Sequence, residues 1–189
     1  MLLFGVQAHA RFTEQWMAFG VQRPGANTRV VMLLYGDQGA GKGMLFEFLG
    51  RRIYGEHFYV QTDSMRSLFG DHATELKNKK LCQFDEVSMA ETRPFMNRLK
   101  SYITKEKLVF NPKHKAEFST KNLVDYVLTT NNQHAVPIEP SDRRFVAFQC
   151  SSAHMQDAEY FGRLGAHLER PEVQRYARCQ VFACLCCER

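Results

Sequence analysis

The stretch VVMLLYGDQGAGKGMLFEFLG, residues 30–50, constrains this chain more than any other part of it. VVMLLY is a short apolar run bounded by a glycine loop, which predicts a central parallel strand buried on both faces. Beyond the loop, Met44, Leu45, Phe46, Phe48 and Leu49 are apolar nearly all round, as expected of a helix packed under a sheet. Between them, the glycines of Gly36-Asp37-Gln38-Gly39-Ala40-Gly41-Lys42 allow backbone N–H groups to turn inward around phosphate oxygens, and Lys42 can reach the β- and γ-phosphates of a nucleotide. The pattern G-x-x-x-x-G-K-[ST] holds through Lys42 and then breaks. Gly43 stands where a magnesium-binding hydroxyl is expected, and Met44 offers none one position later.

A chain of 189 residues suits one well-buried domain, so everything catalytic must share one core. No segment has the uninterrupted apolar length of a membrane span, and MLLFGVQAHARF has neither the basic start nor the apolar length of a secretory signal. An intracellular, non-secreted protein is expected. The net charge of +5 and pI near 8.9 mildly favour an anionic partner. Cys82 and Cys150 fall in apparent strands and read as reduced core residues, while Cys179, Cys184, Cys186 and Cys187 crowd a tail whose spacing fits no standard zinc site.

Phe12, Trp16 and Phe19 recur at helical spacing over a lead-in helix, residues 12–20, which Gly20 and Pro24 stop. A second strand is expected at KLCQFDEV, residues 80–87, followed by a helix starting near Thr92 and Pro94 with Phe95, Leu99, Tyr102 and Ile103 on its buried face. Residues 107–122 suggest two short strands around a basic Asn-Pro turn, residues 123–132 a strong strand, and residues 144–149 a last one. A loop with Pro137 and Pro140 separates these last two, and helices follow over 154–178. The alternation gives an α/β sandwich with a mainly parallel sheet, its core at 29–150, and leaves the Cys-rich residues 179–189 unassigned.

Three further stretches carry chemistry. Asp85, at the end of a strand in an open α/β sheet, is the best carboxylate for magnesium in place of the missing hydroxyl. Glu86 beside it can orient and deprotonate a water attacking the γ-phosphate. LTTNN, residues 128–132, ends a strand in amides, and Asn131 can touch the γ-phosphate or the lytic water, although asparagines after strands are commonly plain turn formers. In SDRRF, residues 141–145, Arg143 and Arg144 either reach a nucleotide in a neighbouring subunit or pair with Asp142 at home.

These four elements, in this order and spacing, resemble the ATPase domain of superfamily 3 helicases, AAA+-related P-loop motors, and more narrowly the helicase part of viral, phage and plasmid primase-helicase replication proteins. GDQGAGKG is similar to the family's Walker A motif, QFDEV to Walker B, residues 99–122 to the motif called B-prime, LTTNN to motif C, and SDRRF falls at its arginine finger. FGVQRPGANTRVVMLLYG resembles the family's lead-in helix and Gln-x-Pro turn. The likeness implies a P-loop NTPase sandwich, ATP and Mg2+ as cofactors, and a homo-oligomeric ring, commonly a hexamer, acting on single-stranded or forked DNA, with a primase as a further partner. It also implies that the B-prime hairpin points into the ring's channel, with Lys113, His114 and Lys115 at its tip. Such a turn can grip phosphates without reading bases. Gly43 and the tail depart from the usual pattern.

Two rival readings follow from the same residues. A nucleoside monophosphate kinase also begins with such a loop, but needs arginines for its acceptor phosphate rather than an Asp-Glu strand end. A catalytically weak or inactive nucleic-acid-binding module would keep the loop and lose the motor.

Overall fold

The apolar run at residues 31–35 forms strand β1 (Val31–Tyr35), with four of its five residues buried. The structure, a computed structural model, describes residues 6–139 and 141–183, the last four by backbone alone. Pro140 and the tail cysteines Cys184, Cys186 and Cys187 lie outside the described residues.

Parallel to β1 run β2 (Tyr59–Thr62), β3 (Leu81–Phe84), β6 (Asp125–Thr130) and β7 (Phe145–Gln149), in the order β2-β3-β6-β1-β7. The five-stranded sheet is therefore wholly parallel, as the alternation of strands and helices requires. A separate antiparallel hairpin, β4 (Lys107–Phe110) with β5 (Phe118–Lys121), is inserted ahead of β6.

Alternate strand residues feed two cores, one on each face of the sheet. Met32, Leu34, Leu81 and Val127 pack toward helix α1 (Gln7–Gln22), through Ala10 and Trp16, and toward α2 (Met44–Phe48), through Phe46. Leu33, Cys82, Phe84, Tyr126 and Leu128 pack on the other face against α3 (Met65–Phe69) and α5 (Met96–Thr104), and against Leu108 and Phe110 of the hairpin. Cys82 and Cys150 are free and buried, as core cysteines should be.

Several boundaries differ from those expected. The lead-in helix is longer at both ends, and α2 continues as a π-helical stretch, Leu49–Gly55. Thr92 and Pro94 do not begin a helix. Thr92 ends a one-turn helix α4 (Met89–Thr92), whose Ser88 cap accepts from the Glu91 N–H, and α5 begins only at Met96. The C-terminal helices are α6 (Ala158–Leu168) and α7 (Pro171–Ala183). Strand β2 and helix α3 had no counterpart in the sequence reading.

Two ion-pair groups hold the sheet edge opposite the glycine loop. Lys80 and Asp125 are 2.7 Å apart, with side chains only 6% and 1% exposed. Lys80 also donates to the Ala26 carbonyl, and Asp125 accepts from the Thr28 N–H, which fixes the chain entering β1. Burial raises the Asp125 pKa, although Lys80 pulls it the other way.

The second group is Asp142, which accepts from Arg144 Nε at 2.7 Å and Nη2 at 2.8 Å and lies 3.1 Å from Lys100 Nζ. Its hydrogen bonds from Arg144 hold its carboxyl well below the usual carboxylate range. A depressed folded pKa stabilises above the unfolded value, near 4, and that contribution disappears as pH falls through the folded value. Asp142→Asn should therefore lower stability at pH 7 by about 1–3 kcal/mol. In thermal melts from pH 7 to pH 2 the gap to wild type should narrow below about pH 4; a gap independent of pH would contradict this role.

Candidate nucleotide site

Parallel strands all deliver their following loops to one sheet edge, and here that edge gathers the expected motifs. The glycine loop follows β1, Asp85 and Glu86 follow β3, and Asn131 follows β6. Because β6 lies between β1 and β3, the amide of Asn131 falls between the loop and the acids. The Gly36 N–H donates to the Thr130 carbonyl at 3.3 Å, tying the loop's first residue to the end of β6.

The loop needs its glycines. Gly39 and Gly41 have φ of +80° and +75°, which side-chain-bearing residues rarely adopt. A Cβ on Gly41 would also collide with the ring of Phe161 from α6. The stretch after β7 thus packs directly on the loop, and the Gln156 N–H donates to the Gly39 carbonyl at 3.2 Å.

Lys42 is 7% exposed and is held by three hydrogen bonds. Its Nζ donates to the carbonyls of Gly36 at 2.9 Å and Asp37 at 2.7 Å, and to Oδ1 of Asn131 at 2.7 Å. All three N–H groups of the ammonium are therefore used within the protein. Burial pushes its pKa down, while Cys150, Glu86, Asp37 and Asp85 pull it up. The amide oxygen of Asn131 thus meets the lysine of the glycine loop. Asn132 does form the turn, accepting from the His134 N–H at 2.9 Å.

Asp85 is surrounded by donors. Its Oδ1 accepts from Gln83 Nε2 at 3.0 Å and from Thr129 Oγ1 at 3.0 Å, and its Oδ2 accepts from Gln61 Nε2. Glu86 is exposed and has a φ of +50°, an uncommon conformation for a glutamate. Its N–H donates to Thr129 Oγ1 at 3.3 Å. The polar shell of Gln61, Gln83 and Thr129 was not read from sequence. Gln83 and Thr129 lie inside strands that read as apolar core, and Gln61 belongs to the unrecognised β2.

Beside the loop lies a cavity of about 370 Å³ between α1 and α6, lined mainly by apolar groups including Met17, Ala40, Tyr160 and Phe161. Gly41 and Met44 also border it, so it opens against the loop itself.

Two other expected groups lie away from this edge. Arg143 and Arg144 precede β7, whose Phe145 pairs with Val31 at the start of β1. They are thus separated from the loop by the length of β1, roughly 13 Å. Arg144 is committed to Asp142, the home pairing weighed above, while Arg143 is exposed. The basic turn Lys113-His114-Lys115 caps the β4–β5 hairpin, with all three residues exposed and His114 at φ +59°. The hairpin's base is fixed by Asn122, whose Nδ2 donates to the carbonyls of Tyr102 and Lys105, while the Asn111 carbonyl lies 2.9 Å from His72 Nδ1.

Residues 34–144 match a family of unknown function, DUF5906. The chain belongs to that family. The matched span runs from the end of β1, just ahead of the glycine loop, through Arg144, and so includes the glycine loop, Asp85, Glu86 and Asn131, while α1 and the stretch after β7 that packs on the loop lie outside it. Outside the family description, the chain is 34% identical over 142 residues to the DNA primase-polymerase of Nitratiruptor phage NrS-1. That match spans 72% of this chain and 19% of the phage protein.

Solved structures of the NrS-1 C-terminal region, without ligand, superpose on 94% of the chain. One gives a TM-score of 0.77 at 26% identity over 42% of its own length, and an A-form structure gives 0.70 at 27% over 41%. The chain therefore spans less than half of each relative. Among the described residues, no helix is long and apolar enough to cross a membrane.

Proposed function

We propose that this chain is the ATP-hydrolysing motor module of a phage-type DNA replication protein, of the superfamily 3 helicase kind. The observation that carries the proposal is the meeting of Lys42, Asn131 and the Asp85-Glu86 strand end at one sheet edge, with Lys42 Nζ bonded directly to Asn131. The likeness to the NrS-1 primase-polymerase supports a place in replication.

The donor set fits ATP and magnesium. The glycine loop offers backbone N–H groups in a conformation a Cβ would forbid, and Lys42 supplies a positive charge beneath them. Asp85 is the carboxylate that would hold Mg2+, which neutralises phosphate charge when bound. The cavity bordered by Met17 and Tyr160 could receive the flat aromatic faces of the base. Exposed Glu86 then holds and deprotonates water, and Asn131, released from Lys42, orients it or the terminal phosphate. A kinase reading has less support, because such an enzyme needs arginines for its acceptor phosphate, whereas the groups that meet the loop here are the Asp85-Glu86 strand end and Asn131.

Arg143, exposed at the opposite edge of the sheet, is too distant for its own subunit's loop and suits a neighbour's. A homo-oligomeric ring, hexameric in the family it resembles, would supply that arrangement. The test is subunit mixing. Arg143→Ala and Lys42→Ala proteins should each be inactive alone, whereas a mixture should regain hydrolysis at sites pairing a native loop with a native arginine. A mixture as inactive as its parts would contradict a shared site.

The hairpin tip suits the phosphates of single-stranded DNA. Replacing Lys113 and Lys115 by alanine should weaken binding to every sequence alike and flatten the slope of log K against log salt by about 1.4, the contribution of two phosphates. Titrations against mixed-sequence and homopolymer strands at several salt concentrations would read this, and a loss confined to one sequence would contradict it.

A further inference from the structure

The missing hydroxyl at position 43 has a structural counterpart elsewhere in the chain. A Cβ placed on Gly43 would lie 2.8 Å from Gln83 Nε2 and 3.3 Å from Asp85 Oδ1. Any side chain at that position would therefore be aimed at the Asp85 carboxylate, and Gln83 already fills the space. Gln83 is fully buried in β3. Its Nε2 donates to Asp85 Oδ1 at 3.0 Å and, at 3.4 Å, to the carbonyl of Gly43 itself. Its Oε1 accepts from the Tyr59 hydroxyl at 2.9 Å, which fixes the amide's orientation.

An amide delivered from the sheet thus makes the contact with Asp85 that a hydroxyl delivered from the loop could otherwise make. A buried amide in this position also requires glycine opposite it. The atom in conflict is the end of a long side chain, but Gln83 is held by three partners and has no solvent into which to retreat.

We infer that Gln83 is the positioning residue that takes over the absent loop hydroxyl's contact with Asp85, holding that carboxylate for magnesium, and that Gly43 and Gln83 are a compensating pair. This rests on the nucleotide-site reading above and deepens it. Gly43 is then a relocation of the metal-site support rather than a loss of it. Outer partners of metal-holding carboxylates matter because they fix the ligand's orientation.

Three variants test the pair: Gln83→Ala, Gly43→Ser, and the two combined. The first readout is ATP affinity by calorimetry, with Mg2+ and with EDTA. Gln83→Ala should leave affinity in EDTA near wild type and reduce the gain conferred by Mg2+ about 10-fold or more. Adding Gly43→Ser to Gln83→Ala should restore most of that gain, because the serine hydroxyl enters the space the amide has left.

The second readout is the melting temperature without nucleotide. Gly43→Ser should lower it in the native background and have much less effect in the Gln83→Ala background. Equal Mg2+ dependence in wild type and Gln83→Ala, or a double variant no better than Gln83→Ala, would overturn the inference. So would a Gly43→Ser melting shift that is the same in both backgrounds. Wild-type protein that binds no ATP in either condition would instead defeat the nucleotide-site reading, and the inference with it.

Discussion

Lys42→Ala should lose ATP affinity by about 100-fold or more, corresponding to the several kcal/mol at stake when a buried, hydrogen-bonded charge is truncated. The expectation follows from the location of the ammonium. It is 7% exposed, desolvated enough that burial lowers its pKa, and bonded to the Gly36 and Asp37 carbonyls and to Asn131. A phosphate entering the loop exchanges those neutral acceptors for charged oxygens, which a buried cation favours strongly. Fluorescent-nucleotide titration reads the loss, and a melting curve close to wild type separates it from misfolding. Undiminished affinity would mean that this glycine loop does not use its lysine for phosphate.

Glu86→Gln should separate binding from chemistry. The side chain is exposed, lies one residue beyond Asp85, and is projected by a backbone at φ +50°. Such a conformation is uncommon outside turns and functional sites. Glutamine keeps the shape and the hydrogen-bonding reach but cannot take a proton at neutral pH. ATP affinity should therefore be unchanged and turnover should fall about 10²- to 10⁴-fold, the usual contribution of a general base. Stopped-flow phosphate release and equilibrium binding on the same preparation would establish both halves. Equal turnover would remove Glu86 as the base.

The sequence reading succeeded where local chemistry and position coincide. The run before Gly36 had to be a buried parallel strand, and the pattern of the loop had to sit at its end. The same logic placed Asp85 and Asn131 at strand ends, and the structure brings both to the loop's edge of the sheet. It was weaker where a side chain's role depends on what folds against it. Gln83 reads as one polar residue in an apolar strand, and only the packed structure shows it reaching both Gly43 and Asp85.

Arg143 and Arg144 are adjacent and chemically identical, so nothing in the chain distinguishes the one tied to Asp142 from the one left exposed. Strand β2 escaped notice because four residues, YVQT, carry too little periodicity to stand out after a glycine and a turn of 3-10 helix. Thr92 and Pro94 look like a helix start, yet Ser88 caps the earlier turn and Phe95 leads into the longer helix. Capping signals identify a boundary region without selecting among adjacent candidates.

The proposed function has this edge of the sheet hydrolyse ATP as part of a ring that acts on DNA. Steady-state ATP hydrolysis, measured with and without single-stranded DNA over a range of protein concentration and with Glu86→Gln as control, tests it most directly. The expected result is magnesium-dependent hydrolysis that DNA stimulates, that rises more steeply than in proportion to protein concentration, and that Glu86→Gln abolishes. Hydrolysis strictly proportional to protein and indifferent to DNA, or none at all while ATP and DNA both still bind, would contradict it.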